Sequence, residues 1–463
     1  MLVENARVRP CFAFFASAVI LTLVSCSGTS TVIPRLRASA APSPTLPAAP
    51  ATTPVTHVVI LVQENRSFDS LFSGYPGAVS ASSGTTHNGQ IIPLQTIGLE
   101  DGFDIDHDHS TFVTEYDGAK MDGFDETTFF TPGSTPVSAG TYPYARIRQS
   151  EVQPYWDLAS SYALADHMFS SMSSGSFTAH QYLIAGTTAI TSQQSLVDFP
   201  TQIPWGCDAP TGTLTPVLSQ DGTIDQNGPY PCISAYPTIA QLLDAARVSW
   251  KYYAPMVAPP GRGDIAGDVW SAFDAIRSVR NGPDWSRNVV SPETTFFSDV
   301  ETGRLPQVSW VIPDFANSDH PESRSNTGPS WVTAVVNFVG KSKYWNNTAI
   351  VILWDEWGGW YDDVSPPQLD YAGLGMRVPM IVVSPYARKA YISHTPYEFG
   401  SILKFIEQDF SLPNLGATDV RATSIQDCFD FTQSPSPFSV VRAPVSVRAL
   451  RARAPSYHWV DDE

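Results

Sequence analysis

Two apolar runs that end in acidic residues set the tightest limit on how this 463-residue chain can fold. In VTHVVILVQENRSFD the run 58–62 leads into Glu64 and Asn65, and in TAIVILWDEWGGWYDD the run 349–354 leads into Asp355 and Glu356. A continuous β-branched run of this length suits a strand buried on both faces of a parallel sheet. In open α/β sheets, ligands bind just beyond the carboxyl ends of such strands. Three carboxylates and an amide at two strand ends therefore predict a shared oxygen-rich site, suited to a hard metal ion or to acid–base chemistry.

A chain this long holds one large α/β domain with insertions, or two domains, and its 43% apolar content supplies a substantial core. The formal charge is −18, with no basic run able to track a phosphate backbone, so nucleic acid is not an expected partner. Arg7 and Arg9 precede an apolar stretch, 12–24, that is shorter than a membrane-spanning helix needs. It ends in Leu23-Val24-Ser25-Cys26, which resembles a bacterial lipoprotein processing box, with cleavage before Cys26 and lipid on its thiol. The alternative is an ordinary secretory signal that happens to contain Cys26. Both readings export the protein, lipid-anchored at the cell envelope in the first and secreted in the second. Export places Cys207 and Cys232 in an oxidising compartment, where a disulfide between them would staple a Gly/Pro/Asp-rich stretch. Cys428 is then a buried free thiol, or the partner of one of those two, and spacing alone does not decide.

Residues 1–25 thus read as a signal peptide and 26–54, rich in Ala, Pro, Ser and Thr, as a tether ahead of a folded body over 55–431. A Gly/Ser/Thr-rich loop is expected over 74–102 and a helix over 152–165. The stretch 191–237, dense in Pro and Gly, reads as an insertion and a candidate cover for the site. Pro237 then starts a helix over 239–250. Buried strands are expected at 308–312 and 379–383, and helices at 330–339 and 398–409. From 432 to 463 the composition turns to Pro, Ser, Val and Arg. With sparse aromatics and no amphipathic face, it reads as a loosely ordered tail rather than a lipid-touching arm.

Glu64-Asn65-Arg66-Ser67 supplies hard oxygen ligands at a strand end, although Asn65 or Ser67 alone would also serve as a helix cap. Asp355-Glu356 is harder to explain structurally, because two adjacent buried charges repel unless a cation or protons intervene. The Gly358-Gly359 pair after it allows a sharp turn and a close approach to a ligand. Asp104-Ile105-Asp106-His107-Asp108-His109 is metal-ligand material, with His107 and His109 on one side if the segment is extended; His320 is a loop histidine after a strand. A nucleophile is sought in SSMSSGSFTAH, 170–180, where a metal ion would activate a serine without a histidine base. The chain has no G-x-S-x-G elbow, no H-E-x-x-H and no G-x-x-x-x-G-K-[ST], which argues against an α/β-hydrolase esterase, a zincin and a P-loop enzyme.

Taken together, VVILVQENRSFDSLF, DIDHDHSTF with YDGAKMDGF, HMFSSMSSGSFTAH, SWVIPDFANSDHP and WDEWGGWYDDV resemble, in order, the blocks of a phosphoesterase family. That family contains bacterial and plant phospholipases C and metal-dependent acid phosphatases and belongs to the alkaline-phosphatase-like superfamily. The resemblance implies an α/β fold with a central, mostly parallel β-sheet flanked by helices and irregular insertions. It further implies that Glu64, Asn65, Asp355 and Glu356 hold a divalent metal ion, that Ser176 is the nucleophile, and that His107 and His320 contact phosphoryl oxygens. Where the family usually has Pro-Asn after the nucleophile this chain has Thr178-Ala179, which leaves Ser173 and Ser174 as alternatives. Trp357 stands where His or Asn is common, and Asp363 where His is common. No C-x-P-x-R sulfatase motif occurs.

The function implied is phospholipase C action on phospholipids through a phosphoserine intermediate. The rivals are acid phosphatase action on soluble phosphomonoesters, and a non-catalytic surface lipoprotein that binds phosphorylated ligands. Expected partners are phospholipid or phosphomonoester substrates and, through the lipid on Cys26, a membrane. Oxygen-rich ligation suits calcium, magnesium or manganese, and carboxylate/histidine surroundings also admit zinc or iron.

Overall fold

Both acidic runs form neighbouring strands at the centre of one eight-stranded sheet. In the computed structural model, which describes residues 53–130, 135–258 and 265–453, its strands are β1 (His57–Gln63), β2 (Ala163–Phe169), β3 (Trp250–Tyr253), β4 (Val289–Val290), β5 (Val308–Val311), β6 (Thr348–Trp354), β7 (Arg377–Val383) and β8 (Tyr391–Ser393). Their order across the sheet is β4-β3-β5-β1-β6-β7-β2-β8. Pairing is parallel except on the two sides of β7, which runs against both β6 and β2. The mostly parallel α/β sheet expected from the sequence is therefore present. Val58 to Val62 and Ala349 to Trp354 are wholly buried, and each such aliphatic side chain contributes roughly 1.5–3 kcal/mol of burial.

Helices cover the sheet: α1 (Phe68–Phe72), α2 (His109–Tyr116), α3 (Gln149–Ser161), α4 (Ser176–Ala185), α5 (Ile239–Ala246), α6 (Gly328–Gly340) and α7 (Phe399–Asp409) are those that bear on the site. Three local expectations shift. The helix expected over 152–165 ends at Ser161, because Ala163 to Ala165 are claimed by β7 and β8 on either side; tertiary pairing overrides the helical preference of Leu and Ala. The helix begun after Pro237 stops at Ala246, where Arg247 adopts φ 58° and frees Trp250 for β3. From 432 to 453 the chain lies against the body instead of hanging loose. Phe438 packs 4.9 Å from the Trp345 ring, the Asn337 amide donates to the Val441 carbonyl at 2.8 Å, and Leu450 is buried. Cys26 and the signal segment lie outside the described residues. No helix among the described residues is long and apolar enough to cross a membrane.

The insertion over 191–237 carries part of a small four-stranded antiparallel sheet, 189–225, and is closed by the Cys207–Cys232 disulfide. Cys428 is a buried free thiol, which answers the pairing question left by spacing.

Arg377, at the start of β7, ties the acidic segments to the sheet. It is wholly buried, and its Nε and Nη2 donate to the two Asp362 oxygens at 2.8 and 3.2 Å, Nη2 also to Asp363 at 2.9 Å. Asp69 lies 3.5 Å from Nη2, and Nη1 donates to the carbonyls of Val79 and Asp166 at 2.8 and 3.0 Å. Removing one partner of a buried ion cluster leaves uncompensated charge, so Arg377→Met should cost about 3–5 kcal/mol in urea unfolding. Asp69→Asn and Asp362→Asn in the same chain should restore part of that loss.

Candidate active site

Two adjacent strand ends build the floor of the site. Gln63 of β1 stands beside Trp354 of β6, so the next residues, Glu64 and Asp355, emerge side by side. Asn65 adopts φ 55°, a left-handed conformation in which asparagine is enriched, and its N–H donates to Asp355 Oδ1 at 3.0 Å. The Gly358 N–H donates to Glu356 Oε2 at 2.7 Å. Gly358 and Gly359 have φ of 64° and 71°, and a Cβ on Gly358 would stand 2.5 Å from the Asn65 carbonyl oxygen. The glycine pair thus lets the acidic turn press against the β1 end, where close approach to a ligand had been expected.

One oxygen on each of these four side chains is left over. Glu64 Oε2, Asn65 Oδ1, Asp355 Oδ2 and Glu356 Oε1 are all buried without a hydrogen-bond partner. A buried, unmatched polar atom costs ~1–3 kcal/mol, and three carboxylates in one pocket add mutual repulsion. Burial, reinforced by Asp355, pushes the Glu64 carboxyl well above the usual range. Burial likewise raises Glu356, opposed by His107 and aided by Asp355, to about 8. A divalent cation would relieve both penalties, and these donors, mostly carboxylate oxygen, fit one.

Ser176 opens α4 after Gly175, which makes no side-chain cap, so the unpaired N–H groups of the first turn lie at the same end as its hydroxyl. That hydroxyl opposes the upward shift of the Glu64 carboxyl and lines a cavity of about 420 Å³. Ser173 and Ser174 are engaged elsewhere. Ser173 Oγ donates to the Ala372 carbonyl at 2.8 Å, and Ser174 Oγ to Asp198 at 3.1 Å. One turn beyond Ser176, His180 places Nε2 2.9 Å from Glu64 Oε1 and 4.0 Å from Asp355 Oδ2. Burial lowers its pKa to about 4, against the pull of Asp355, so the ring is neutral near pH 7. Glu64, His180 and Asp355 bring ligand atoms within 4.8 Å of one another.

His107 Nδ1 lies 2.6 Å from the Ile105 carbonyl and Nε2 lies 3.1 Å from Asn65 Nδ2. Burial disfavours a charged ring here, yet Glu356 and Asp104 outweigh it and hold the pKa at about 10. Accepting from the Asn65 amide instead requires a neutral Nε2. The two demands agree once a cation takes up the charge of Glu356, and the hydrogen-bond geometry then describes the ring. His320 packs against Phe315 and Trp270 at 5.2 and 5.9 Å, and burial, with His107 and Arg66 nearby, drives its pKa well below the usual value. It is aimed by Asp319, whose φ is 75°, whose carbonyl accepts from Arg66 Nε at 3.0 Å, and whose carboxylate accepts from Tyr155 at 2.6 Å.

The cavity joins these parts. Its polar lining is Asp104, His107, Ser176, His320 and Glu322, and its apolar lining is mostly Phe130, Phe199, Ile203, Trp205, Trp270 and Phe315. Phe199 to Ile203 and Trp205 of this lining come from the stretch 191–237. Of the seven residues singled out as metal ligands or catalytic groups, Glu64, Asn65, Asp355 and Glu356 lie against His180 and His107, and Ser176, His107 and His320 line the cavity itself. His109 does not: Asp108 caps α2 by accepting from the Thr111 N–H at 2.7 Å, so the segment turns helical and His109 faces the Ser173 carbonyl at 2.6 Å. Trp357 and Asp363 stand outside the donor set, the first donating to Glu115 at 2.6 Å and the second held by Arg377. Sequence reasoning missed His180 and Glu322 as members of the site. The four-residue step from Ser176 to His180, one helical turn, was the available signal for the first. Glu322 had none beyond its closeness to His320.

The description "Phosphoesterase family" matches residues 55–413 of the chain. Phospholipase C B of Mycobacterium tuberculosis is 27% identical over 450 residues, covering 83% of this chain and 79% of the relative. Non-hemolytic phospholipase C of Pseudomonas aeruginosa is 24% identical over 420 residues, covering 78% of this chain and 55% of that longer protein. Among solved structures, a protein in the alkaline phosphatase superfamily from Vibrio parahaemolyticus aligns with a TM-score of 0.38 at 12% identity, over 84% of this chain and 76% of the other. With the family's blocks running from the first strand to the end of α7, the chain belongs to the phosphoesterase family and is a hydrolase acting on phosphoric ester bonds.

Proposed function

We propose that the protein is a metal-dependent phospholipase C, cleaving phospholipids to diacylglycerol and a phosphorylated head group. The observation that supports the substrate class is the cavity around Ser176, whose lining is mostly aromatic and aliphatic beside a few polar groups. A tight polar cup would favour a small monoester, whereas apolar walls accommodate the glyceride side of a lipid. Relatives named phospholipase C support the same reading.

Glu64, Asn65, Asp355 and Glu356 would hold the cation, with His180 beside them. When bound, a divalent ion neutralises phosphate charge and lowers the pKa of a nearby hydroxyl. Ser176 Oγ attacks phosphorus in line with the glycerol oxygen, whose bond to phosphorus breaks as the new one forms. The first-turn N–H groups of α4 favour the anion at the same place. His107 and His320 would face the phosphoryl oxygens, and the proton that Ser176 loses would pass through the neutral His320 ring to the departing glycerol oxygen. Water then attacks the phosphoserine and releases the phosphorylated head group, with retention at phosphorus. Charge neutralisation and positioning carry most of the catalysis in such a reaction.

Given phosphatidylcholine micelles, the wild-type protein should release diacylglycerol and phosphocholine. Ser176→Ala should lose turnover by on the order of 10⁴-fold or more with its thermal midpoint unchanged. Full activity in Ser176→Ala would remove the nucleophile assignment, and hydrolysis of phosphomonoesters alone would move the substrate class to acid phosphatase.

The cation reading has its own test. Burial raises the Glu64 and Glu356 carboxyls, so a cation binding them competes with protons. Manganese affinity, measured by titration calorimetry in buffers of differing ionisation enthalpy, should fall about tenfold per pH unit below pH 8 for each proton displaced. An affinity flat from pH 6 to about pH 8 would argue against ligation by these carboxylates.

For export, the supporting feature is the Arg7-to-Cys26 segment. Lipid carried on Cys26 would hold the enzyme beside its substrate. In a bacterial host Cys26→Ser should abolish incorporation of labelled palmitate, and labelling that persists would point to another anchor.

A further inference from the structure

A second group of metal-ligating side chains lies at the far edge of the sheet. Asp166 and His167 are consecutive on β2, and His394 follows β8, which pairs with β2 in parallel so that Ser393 stands beside Ala165. Consecutive strand residues normally point to opposite faces. Here the register against β7 slips: Met168 faces Val378 and Ala165 faces Met380, so Asp166 and His167 together stand opposite the single residue Pro379. Such a bulge re-aims side chains, and it brings His167 Nδ1 to 2.7 Å from Asp166 Oδ1. His394 Nδ1 approaches the same carboxylate at 2.8 Å from Oδ2 and 3.0 Å from Oδ1. The two imidazole planes stand at 88° with centroids 6.2 Å apart, and the three ligand atoms lie within 4.8 Å of one another.

The carboxylate forms the base of this group and the imidazoles its mouth. The Asp166 side chain is wholly buried, while His167 and His394 are 21% and 55% exposed. The Val79 N–H donates to Asp166 Oδ2 at 2.8 Å and fixes its orientation, as outer hydrogen bonds do for metal-binding carboxylates. Arg377 reaches Asp166 through the backbone carbonyl, so its charge is spent on the Asp362 cluster. Facing the buried carboxylate are the two imidazole nitrogens.

We propose that Asp166, His167 and His394 form a second cation site that takes a transition ion of the zinc class through one carboxylate oxygen and two imidazole nitrogens, leaving a position open to solvent. Two imidazoles select against calcium and magnesium, which prefer all-oxygen shells. Tetrahedral zinc with ligands at about 2.0–2.1 Å separates them by roughly 3.3 Å, somewhat more than the present nitrogen–oxygen spacing, and the exposed His394 can supply that movement. Across the sheet β2 is two strands from β6, about 10 Å at the usual strand spacing, so this group is separate from the floor beneath Ser176. An ion here would pin the end of β8 and, through Val79, the loop that follows α1.

Zinc itself is the probe. The purified protein is dialysed against buffered zinc and its bound metal counted by elemental analysis, for wild type, His394→Ala, His167→Ala and Asp355→Asn. His394→Ala and His167→Ala should each carry one zinc ion fewer per chain than wild type, whereas Asp355→Asn should keep that ion. Cobalt should give a visible d–d absorption in Asp355→Asn that disappears when His394→Ala is added. Phosphoester turnover of His394→Ala should match wild type. Equal zinc content in wild type and His394→Ala, or no zinc on Asp355→Asn, would overturn the proposal and leave the three residues as a hydrogen-bonded anchor for the loop.

Discussion

Repulsion among carboxylates gathered at the ends of two adjacent strands is the constraint from which the rest of this structure follows. Glu64 and Asp69 follow β1, and Asp355, Glu356, Asp362 and Asp363 follow β6; five of these six are buried. In a low-dielectric interior such a concentration of like charge is tolerated only where each group is paired, protonated or bound to a cation. The chain divides the problem. Asp69, Asp362 and Asp363 share Arg377, a permanent internal cation that closes the outer half. Glu64, Asp355 and Glu356 form no ion pair with an arginine or lysine among the described residues and keep one unmatched oxygen each.

That division separates stability from chemistry. Arg377 reaches into β2, the segment after α1 and the acidic loop at once, so the outer cluster holds the loops rigid around the inner one. The inner cluster gains nothing from folding except a geometry, which is what a site for an exchangeable cation requires. Its strain is visible in Asn65 and Asp319, both non-glycine residues at positive φ. Each precedes or carries a group aimed at the cavity, in keeping with the tendency of backbone strain to collect at functional sites.

The sequence made this core legible because its signals are local. An uninterrupted apolar run says "buried strand" without reference to its neighbours, and the acids after it are conspicuous for being next to such a run. What stayed hidden depends on partners distant in the chain. Arg377 looks like an ordinary residue at a strand start until the fold sets it against Asp69 and Asp362. Ala163 to Ala165 reads as the end of a helix until β7 and β8 pair with it. The slip that turns Asp166 and His167 to one side is a property of the β2–β7 register and has no trace in either segment alone. His180 is the exception: its one-turn offset from Ser176 is a local signal that loop-like composition around it obscured.

The apolar wall of the cavity is built on a different part of the chain from the acids. Phe199, Ile203 and Trp205 of the insertion form one wall of the cavity, and the insertion is held by contacts remote from the sheet ends. The Trp205 N–H donates to the Asp268 carbonyl at 2.7 Å and the Cys207 N–H to the Asp274 carbonyl at 3.0 Å, while the disulfide to Cys232 closes the loop behind them. None of these bonds involves Glu64, Ser176, Asp355 or Glu356. The wall can therefore change its side chains without disturbing the floor. That independence follows from placing charge at the strand ends and aromatic surface on a separate, disulfide-closed stretch of the chain.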